Sequence, residues 1–205
     1  MKTLIAHGAE AKLYKIKENN NILIIKERIP KSYRIKELDD KIRRSRNRRE
    51  ISLLSRASGI IQVPKIIESE EFSFVMDFIE GKRLSETLDD FSENKRLEIC
   101  REVGKNVAFL HNNNIVHGDL TTSNMILKGN KVYFIDFGLG FIDQKDEHKA
   151  VDLHLLKQAL ESKHYRHFES SFGAVLHGYK EFCKDYSKII ERFAKVEKRG
   201  RYKNR

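Results

Sequence analysis

His117-Gly118-Asp119-Leu120-Thr121-Thr122-Ser123-Asn124, with Asp136-Phe137-Gly138 twelve residues beyond Asn124, decides how this chain is read. The first stretch follows a long helix-compatible segment, Glu93–Asn112, and precedes a short β-compatible run, Met125–Leu127. It is therefore expected to be a loop at the edge of a cleft. The second stretch sits directly behind the apolar run Val132–Ile135, which puts Asp136 at a strand end. Asp, Asn and Gly are ordinary turn residues, so either stretch alone also fits an unremarkable turn. Together, in this order and on these elements, they supply what phosphoryl transfer needs. One carboxylate orients the nucleophile, while an amide oxygen and a second carboxylate hold Mg²⁺.

Both stretches resemble the catalytic loop and metal-binding motif of the protein-kinase superfamily. The resemblance implies ATP and Mg²⁺ as cofactors, Asp119 as catalytic base, and Asn124 and Asp136 as metal ligands. By position it also implies that Lys26, closing the run Ile24-Ile25-Lys26, pairs the α- and β-phosphates. Glu50, in the helix-compatible segment Leu38–Ala57, would form the ion pair that positions Lys26, with Glu37 as its competitor. The segment over the phosphates would be Ile5-Ala6-His7-Gly8-Ala9-Glu10-Ala11-Lys12-Leu13, and Met76 and Phe78 would also contact ATP. That loop holds one glycine where the usual pattern has three, so by itself it reads as a plain hairpin turn. Its small side chains still allow close backbone approach to phosphate.

Outward from these motifs, the first 78 residues read as strands around one helix: Thr3–Ala6, Leu13–Lys17, Ile22–Lys26, then Leu38–Ala57, then Ile66–Glu68 and Phe72–Phe78. The turns are expected at residues 7–10 and 18–21. After the connector Ile79-Glu80-Gly81 the pattern turns helical, at Leu84–Leu88, Glu93–Asn112, Ala150–Leu160, Phe168–Cys183 and Tyr186–Lys198. The expectation is a compact bilobal α+β fold of kinase type. Its β-rich lobe is residues 1–78 and its reduced helical lobe residues 79–205, together one kinase domain.

Several departures narrow the family. His-Gly-Asp stands where kinases usually carry His-Arg-Asp, removing the arginine that pairs with a phosphorylated activation loop. Only 16 residues separate Asp136 from Asp152, no Ala-Pro-Glu follows, and the only prolines are Pro30 and Pro64. There is no room for a peptide-binding shelf. Asp152 could brace the catalytic loop or serve as a helix-start acid favoured by the macrodipole. Gly8-Ala9-Glu10-Ala11, the basic stretch with Tyr33-Arg34 between Lys26 and Glu50, the loop 117–124 and the final Arg199-Gly200-Arg201 are similar to the KEOPS-complex atypical kinases. That resemblance covers essentially the whole chain. It implies an ATP-dependent Ser/Thr kinase or ATPase subunit supporting threonylcarbamoyladenosine formation at position 37 of tRNAs reading ANN codons. The implied partners are the threonylcarbamoyl-transferase subunit and two small accessory subunits. Some archaeal members are fused behind that transferase, so the chain could be a domain of a longer product. The alternatives are a RIO-type kinase of ribosome maturation, whose usual Ser-Thr-Gly-Lys-like loop is absent, a small-molecule phosphotransferase, for which 69 residues after Asp136 are too few, and a silent pseudokinase scaffold.

The net charge of +10 is unevenly spread. Residues 31–49 hold nine Lys/Arg and three acids, and residues 195–205 hold six Lys/Arg and one acid, leaving the rest near neutral. Each patch reads either as a solvated surface or as a contact for tRNA phosphates, and the first also as a docking face for a partner subunit. Gly200 is expected to interrupt any helix in the tail. No apolar run approaches the ~18–20 residues of a membrane-spanning helix, and no signal peptide is read at the N-terminus. Cys100 and Cys183 read as buried small hydrophobes in a reducing compartment, so the chain is expected to be cytoplasmic, with no membrane partner.

Overall fold

Alternating apolar residues and two tight turns build the first part of the molecule. The computed structural model describes residues 2–19 and 21–202, so Asn20, in the second expected turn, and residues 203–205 of the tail lie outside the described residues. Strands β1 (Lys2–His7), β2 (Ala11–Glu18) and β3 (Asn21–Arg28) form successive antiparallel hairpins. Asn19 turns the second hairpin with φ 45°, a left-handed conformation that asparagine tolerates. Helix α1 (Lys36–Ala57) follows, then β4 (Ile66–Ser69) and β5 (Ser73–Asp77), giving an antiparallel sheet ordered β1-β2-β3-β5-β4.

Helix α1 has few apolar residues, and its inner face is held largely by polar contacts. Asp39, Asn47, Glu50, Leu53, Leu54 and Ala57 are its buried positions, recurring at helical spacing. Asn47 Nδ2 donates to the backbone carbonyls of Glu70 and Ser73 at 3.0 and 3.2 Å, and Arg43 lies over the Phe72 ring at 4.0 Å. These contacts pin the helix to the β4–β5 turn. Glu50, one turn beyond Asn47, therefore faces β3.

Beyond the sheet the chain runs through β6 (Lys82–Arg83), α2 (Leu84–Thr87), α3 (Glu93–Asn112), β7 (Ile115–Val116), β8 (Met125–Lys128), β9 (Lys131–Phe134), β10 (Phe141–Ile142), α4 (Asp146–Lys163), α5 (Phe168–Phe182) and α6 (Tyr186–Tyr202). The molecule is thus α+β, with its sheet in the N-terminal part and helices dominating the C-terminal part. Helices α3 and α5 cross closely because a Cβ on Gly104 would overlap the Val175 carbonyl oxygen, and one on Gly178 the Arg101 carbonyl oxygen. One continuous core joins Leu53, Leu54 and Phe74 to Leu120, Phe134, Phe137 and Leu153.

Three two-residue strands, β6, β7 and β10, escape the sequence reading because two residues carry no periodicity. Helix α4 begins at Asp146, ahead of the expected Ala150. The expected helix break at Gly200 is corrected: α6 continues through it to Tyr202. Glycine costs a helix only about 1 kcal/mol relative to alanine, and α6 is anchored upstream, where Glu197 pairs with His154 and Lys157 of α4. Cys100 is buried as expected, while Cys183 is only partly so, and both are free thiols.

Candidate active site

The alternation of β3 turns Lys26 and Arg28 to the same side, and both are buried. Lys26 Nζ donates to Glu50 Oε1 at 2.6 Å and to Asp136 Oδ1 at 2.8 Å. Arg28 Nη2 pairs with the other Glu50 oxygen, Oε2. Glu50 is 1% exposed and both its oxygens are engaged by cations, while Glu37, in the first turn of α1, is exposed. Burial disfavours the Lys26 ammonium, but Glu50 and Asp136 outweigh it and raise its pKa. Burial also works against charge on Asp136, yet the Lys26 ammonium holds that carboxyl below the usual aspartate range.

Asp136 and Asn124 are brought together by the β8–β9 hairpin. Met125 lies opposite Phe134, and one step outward Ile135 N–H donates to the Asn124 carbonyl at 2.9 Å. The side chains of residues 124 and 136 thus leave the same end of the hairpin. Asp136 has φ 61°, a left-handed conformation that aims its carboxylate at Lys26 and back to its own Gly138 N–H at 3.3 Å. Asn124 Nδ2 donates to the Asp119 backbone carbonyl and to Asp119 Oδ2, both at 2.9 Å. With both amide hydrogens so used, Asn124 Oδ1 is left as an acceptor. An amide oxygen and a half-exposed carboxylate are hard oxygen donors of the type Mg²⁺ takes, so the residues fit that ion.

The catalytic-type loop is held from below by Asp152 of α4, 1% exposed. Its Oδ2 and Oδ1 accept the His117 and Gly118 backbone N–H groups at 2.6 and 2.9 Å, and its Oδ2 also meets His111 Nε2 at 3.3 Å. Of the two readings of Asp152, the bracing one describes these bonds. His117 is fully buried, with Nε2 3.1 Å from the Ile135 carbonyl and Nδ1 accepting the Asp119 backbone N–H at 3.3 Å. Those contacts fit a neutral imidazole protonated on Nε2, and burial pushes its pKa below the ordinary value. Gly118 has φ 78°, and a Cβ there would overlap the Leu139 carbonyl oxygen. The residue replacing the usual arginine therefore lets the loop pack against the segment after Asp136. That segment is short and is zipped to the strand leading into the loop by pairing of β10 with β7.

A cavity of about 480 Å³ opens between the sheet and this loop, a size suited to a nucleotide. Of the residues expected there, Ala6, Gly8, Ala9, Glu10, Ala11, Leu13, Lys26, Asp119 and Asp136 line it. Glu50 stands behind Lys26, and Asn124 stands behind Asp119. Ile5, His7, Lys12, Met76 and Phe78 are not among its walls, and Phe78 lines a separate groove beside Ile79 and Glu80. Gly138 of the Asp-Phe-Gly stretch also lines the cavity, as do Arg28, Arg83 and Leu139, which were not singled out from the sequence. Arg28 could have been found from its i+2 spacing to Lys26. Arg83 carries no comparable signal.

A family model described as the RIO domain matches residues 8–158. The KEOPS complex subunit Bud32 of Pyrococcus abyssi is 47% identical over 98% of this chain and 97% of its own length. The probable serine/threonine-protein kinase BUD32 homolog of Archaeoglobus fulgidus is 37% identical, over 97% of this chain and 95% of that protein. A probable bifunctional tRNA threonylcarbamoyladenosine biosynthesis protein of Methanobrevibacter smithii is 43% identical over 97% of this chain, which spans only 36% of that protein. Fold, cleft and domain match define the class as an atypical kinase or ATPase, a class that uses ATP. Within it, the chain belongs to the Bud32 family of RIO-domain proteins. The Pyrococcus relative is named for the KEOPS complex and the Methanobrevibacter relative for tRNA threonylcarbamoyladenosine biosynthesis, so the ribosome-maturation alternative is not favoured. Among the described residues no helix is long and apolar enough to cross a membrane.

Proposed function

We propose that this chain transfers the γ-phosphoryl group of Mg²⁺-bound ATP as the kinase-type subunit of a KEOPS-like complex, in support of threonylcarbamoyladenosine formation at position 37 of tRNAs reading ANN codons. The observation that carries the reading is the Lys26 ammonium held between Glu50 and Asp136, in a cleft that Asp119 also lines.

In this reading Lys26 binds the α- and β-phosphates, and Glu50 keeps its ammonium aimed into the cleft. Asn124 and Asp136 would hold Mg²⁺, which supplies neutralisation of phosphate charge when bound. Asp119, oriented by the Asn124 amide, accepts the hydrogen of the attacking oxygen as the new O–P bond forms and the bond to the β-phosphate oxygen breaks, with ADP leaving. The loop 117–124 keeps its shape through Asp152. The partners are a threonylcarbamoyl-transferase subunit and small accessory subunits, with tRNA reaching the basic residues 31–49 and 195–205. The names of the Pyrococcus and Methanobrevibacter relatives support this assignment.

ATP turnover of the purified chain, alone and with the transferase subunit and tRNA, tests the reading, with label followed into protein and into free phosphate. Phosphate release raised by tRNA, with protein labelling suppressed by the partner, is the expected result. No turnover under any of these conditions would reduce the chain to a nucleotide-binding scaffold.

A further inference from the structure

The loop joining β1 to β2 places a glutamate, Glu10, in the wall of the cavity where the triphosphate would lie. A free carboxylate there would repel phosphate. Glu10 is not free. Its Oε2 accepts from Arg28 Nη1 at 3.3 Å, and its Oε1 pairs with Arg46 of α1. Arg28, 4% exposed, gives its other terminal nitrogen to Glu50. The charges therefore alternate along one unbroken line: Arg46, Glu10, Arg28, Glu50, Lys26, Asp136. Two further contacts hold the loop backbone from the same side. Lys31 Nζ bonds the Ala9 carbonyl, and Ile29 N–H donates to the Glu10 carbonyl at 3.2 Å.

Phosphate loops rich in glycine approach their ligand because they lack side chains, and they are free to move for the same reason. This loop has a single glycine and a tether from its own side chain. We propose that Glu10 is the positioning residue of the loop, coupling its closure over the phosphates to the seat of α1 and hence to the Lys26–Glu50 pair. The proposal rests on the ATP reading above and adds to it what holds the atypical loop in place. Loop and helix then behave as one unit. Displacement of α1 draws Arg46 away from Glu10 and releases the loop, while Glu50 withdraws from Lys26.

Both Glu10 and Arg46 are more than about a third exposed, so their pair adds little to the stability of the unliganded chain. That separates positioning from general structure. Equilibrium binding of ATP with Mg²⁺, and of adenosine, is measured on the full chain for wild type, Glu10→Ala, Arg46→Ala and the double variant, with thermal unfolding of each free protein alongside. Each single change is expected to raise the Kd for ATP roughly threefold to tenfold with adenosine affinity unchanged, and Arg46→Ala, which leaves the Arg28–Glu10 contact in place, is expected to keep the wild-type unfolding temperature. The double variant is expected to be no worse than the weaker single, because both break the same link. Unchanged or tighter ATP binding by Glu10→Ala would overturn the proposal. So would a loss shared equally by ATP and adenosine, or additive effects of the two changes. Wild-type protein that binds no ATP would instead overturn the phosphoryl-transfer reading, and this inference with it.

Discussion

His117 and Gly118 show how much of this site depends on backbone rather than on reacting side chains. His117 is buried as a neutral ring, donating from Nε2 and accepting at Nδ1. Its folded pKa lies below the ordinary 6.5, so the unfolded chain takes up its proton first as pH falls. The contribution of His117 is fully present above about pH 6.5 and is lost as pH falls from there toward the lowered folded value. Urea unfolding between pH 7.5 and 5 is expected to show a steeper loss of stability in wild type than in His117→Gln. Gly118→Ala, which places a Cβ at positive φ against the Leu139 carbonyl, is expected to cost about 1–3 kcal/mol in the same assay. At this scale the positions of Asp119, Asn124 and Asp136 were legible because loop motifs carry fixed spacings. Arg28 carried only its i+2 spacing to Lys26, which puts it on the same face of the strand, and its role appears only when Glu10 and Glu50 converge on it. The φ of Gly118 was equally hidden, since its glycine answers to a carbonyl 21 residues away.

Helix α1 is the element on which the site turns. It is anchored by Asn47 and Arg43 to the β4–β5 turn and carries Glu50 to the centre of the charge line. Removing one partner from a buried set of charges leaves the others unpaired, which is costlier than the pair is beneficial. Glu50→Gln leaves Lys26 and Arg28 sharing a neutral amide and is expected to lower stability by roughly 3–5 kcal/mol, read from the urea midpoint. Long elements were readable from their periodicity, including α1, α3 and the three hairpin strands. The strands β6, β7 and β10 were not, because pairing with β8 and with each other, rather than their own two residues, makes them strands. α6 likewise passes Gly200 because tertiary anchoring through Glu197 outweighs one unfavourable residue.

At the scale of the molecule, the excess positive charge separates into two kinds. Within 31–49, Arg34, Arg43, Arg44 and Arg46 pair with acids of α1, the β1–β2 loop or the β4–β5 turn, and so serve the fold. Lys36, Lys41, Arg48 and Arg49 are exposed and make no ion pair among the described residues. Composition showed the patch but could not divide it, because pairing depends on which acids the fold brings near. In the tail, Arg199 reaches Glu147 at the start of α4, linking α6 to the segment that follows the metal motif. Deleting residues 198–205 is expected to weaken tRNA binding, with a shallower salt dependence, and to lower tRNA-stimulated ATP hydrolysis while basal hydrolysis persists. Filter binding across salt concentrations checks it, and equal affinity and slope would assign the tail to solubility.

The central claim is that this cleft performs phosphoryl transfer through Asp119. Its most direct measurement is ATP turnover by wild type and Asp119→Ala in the presence of the transferase subunit and tRNA, with ATP binding measured on both proteins. A loss of about a hundredfold or more in turnover, with ATP still bound, is the predicted result. Turnover in Asp119→Ala equal to wild type would contradict the account.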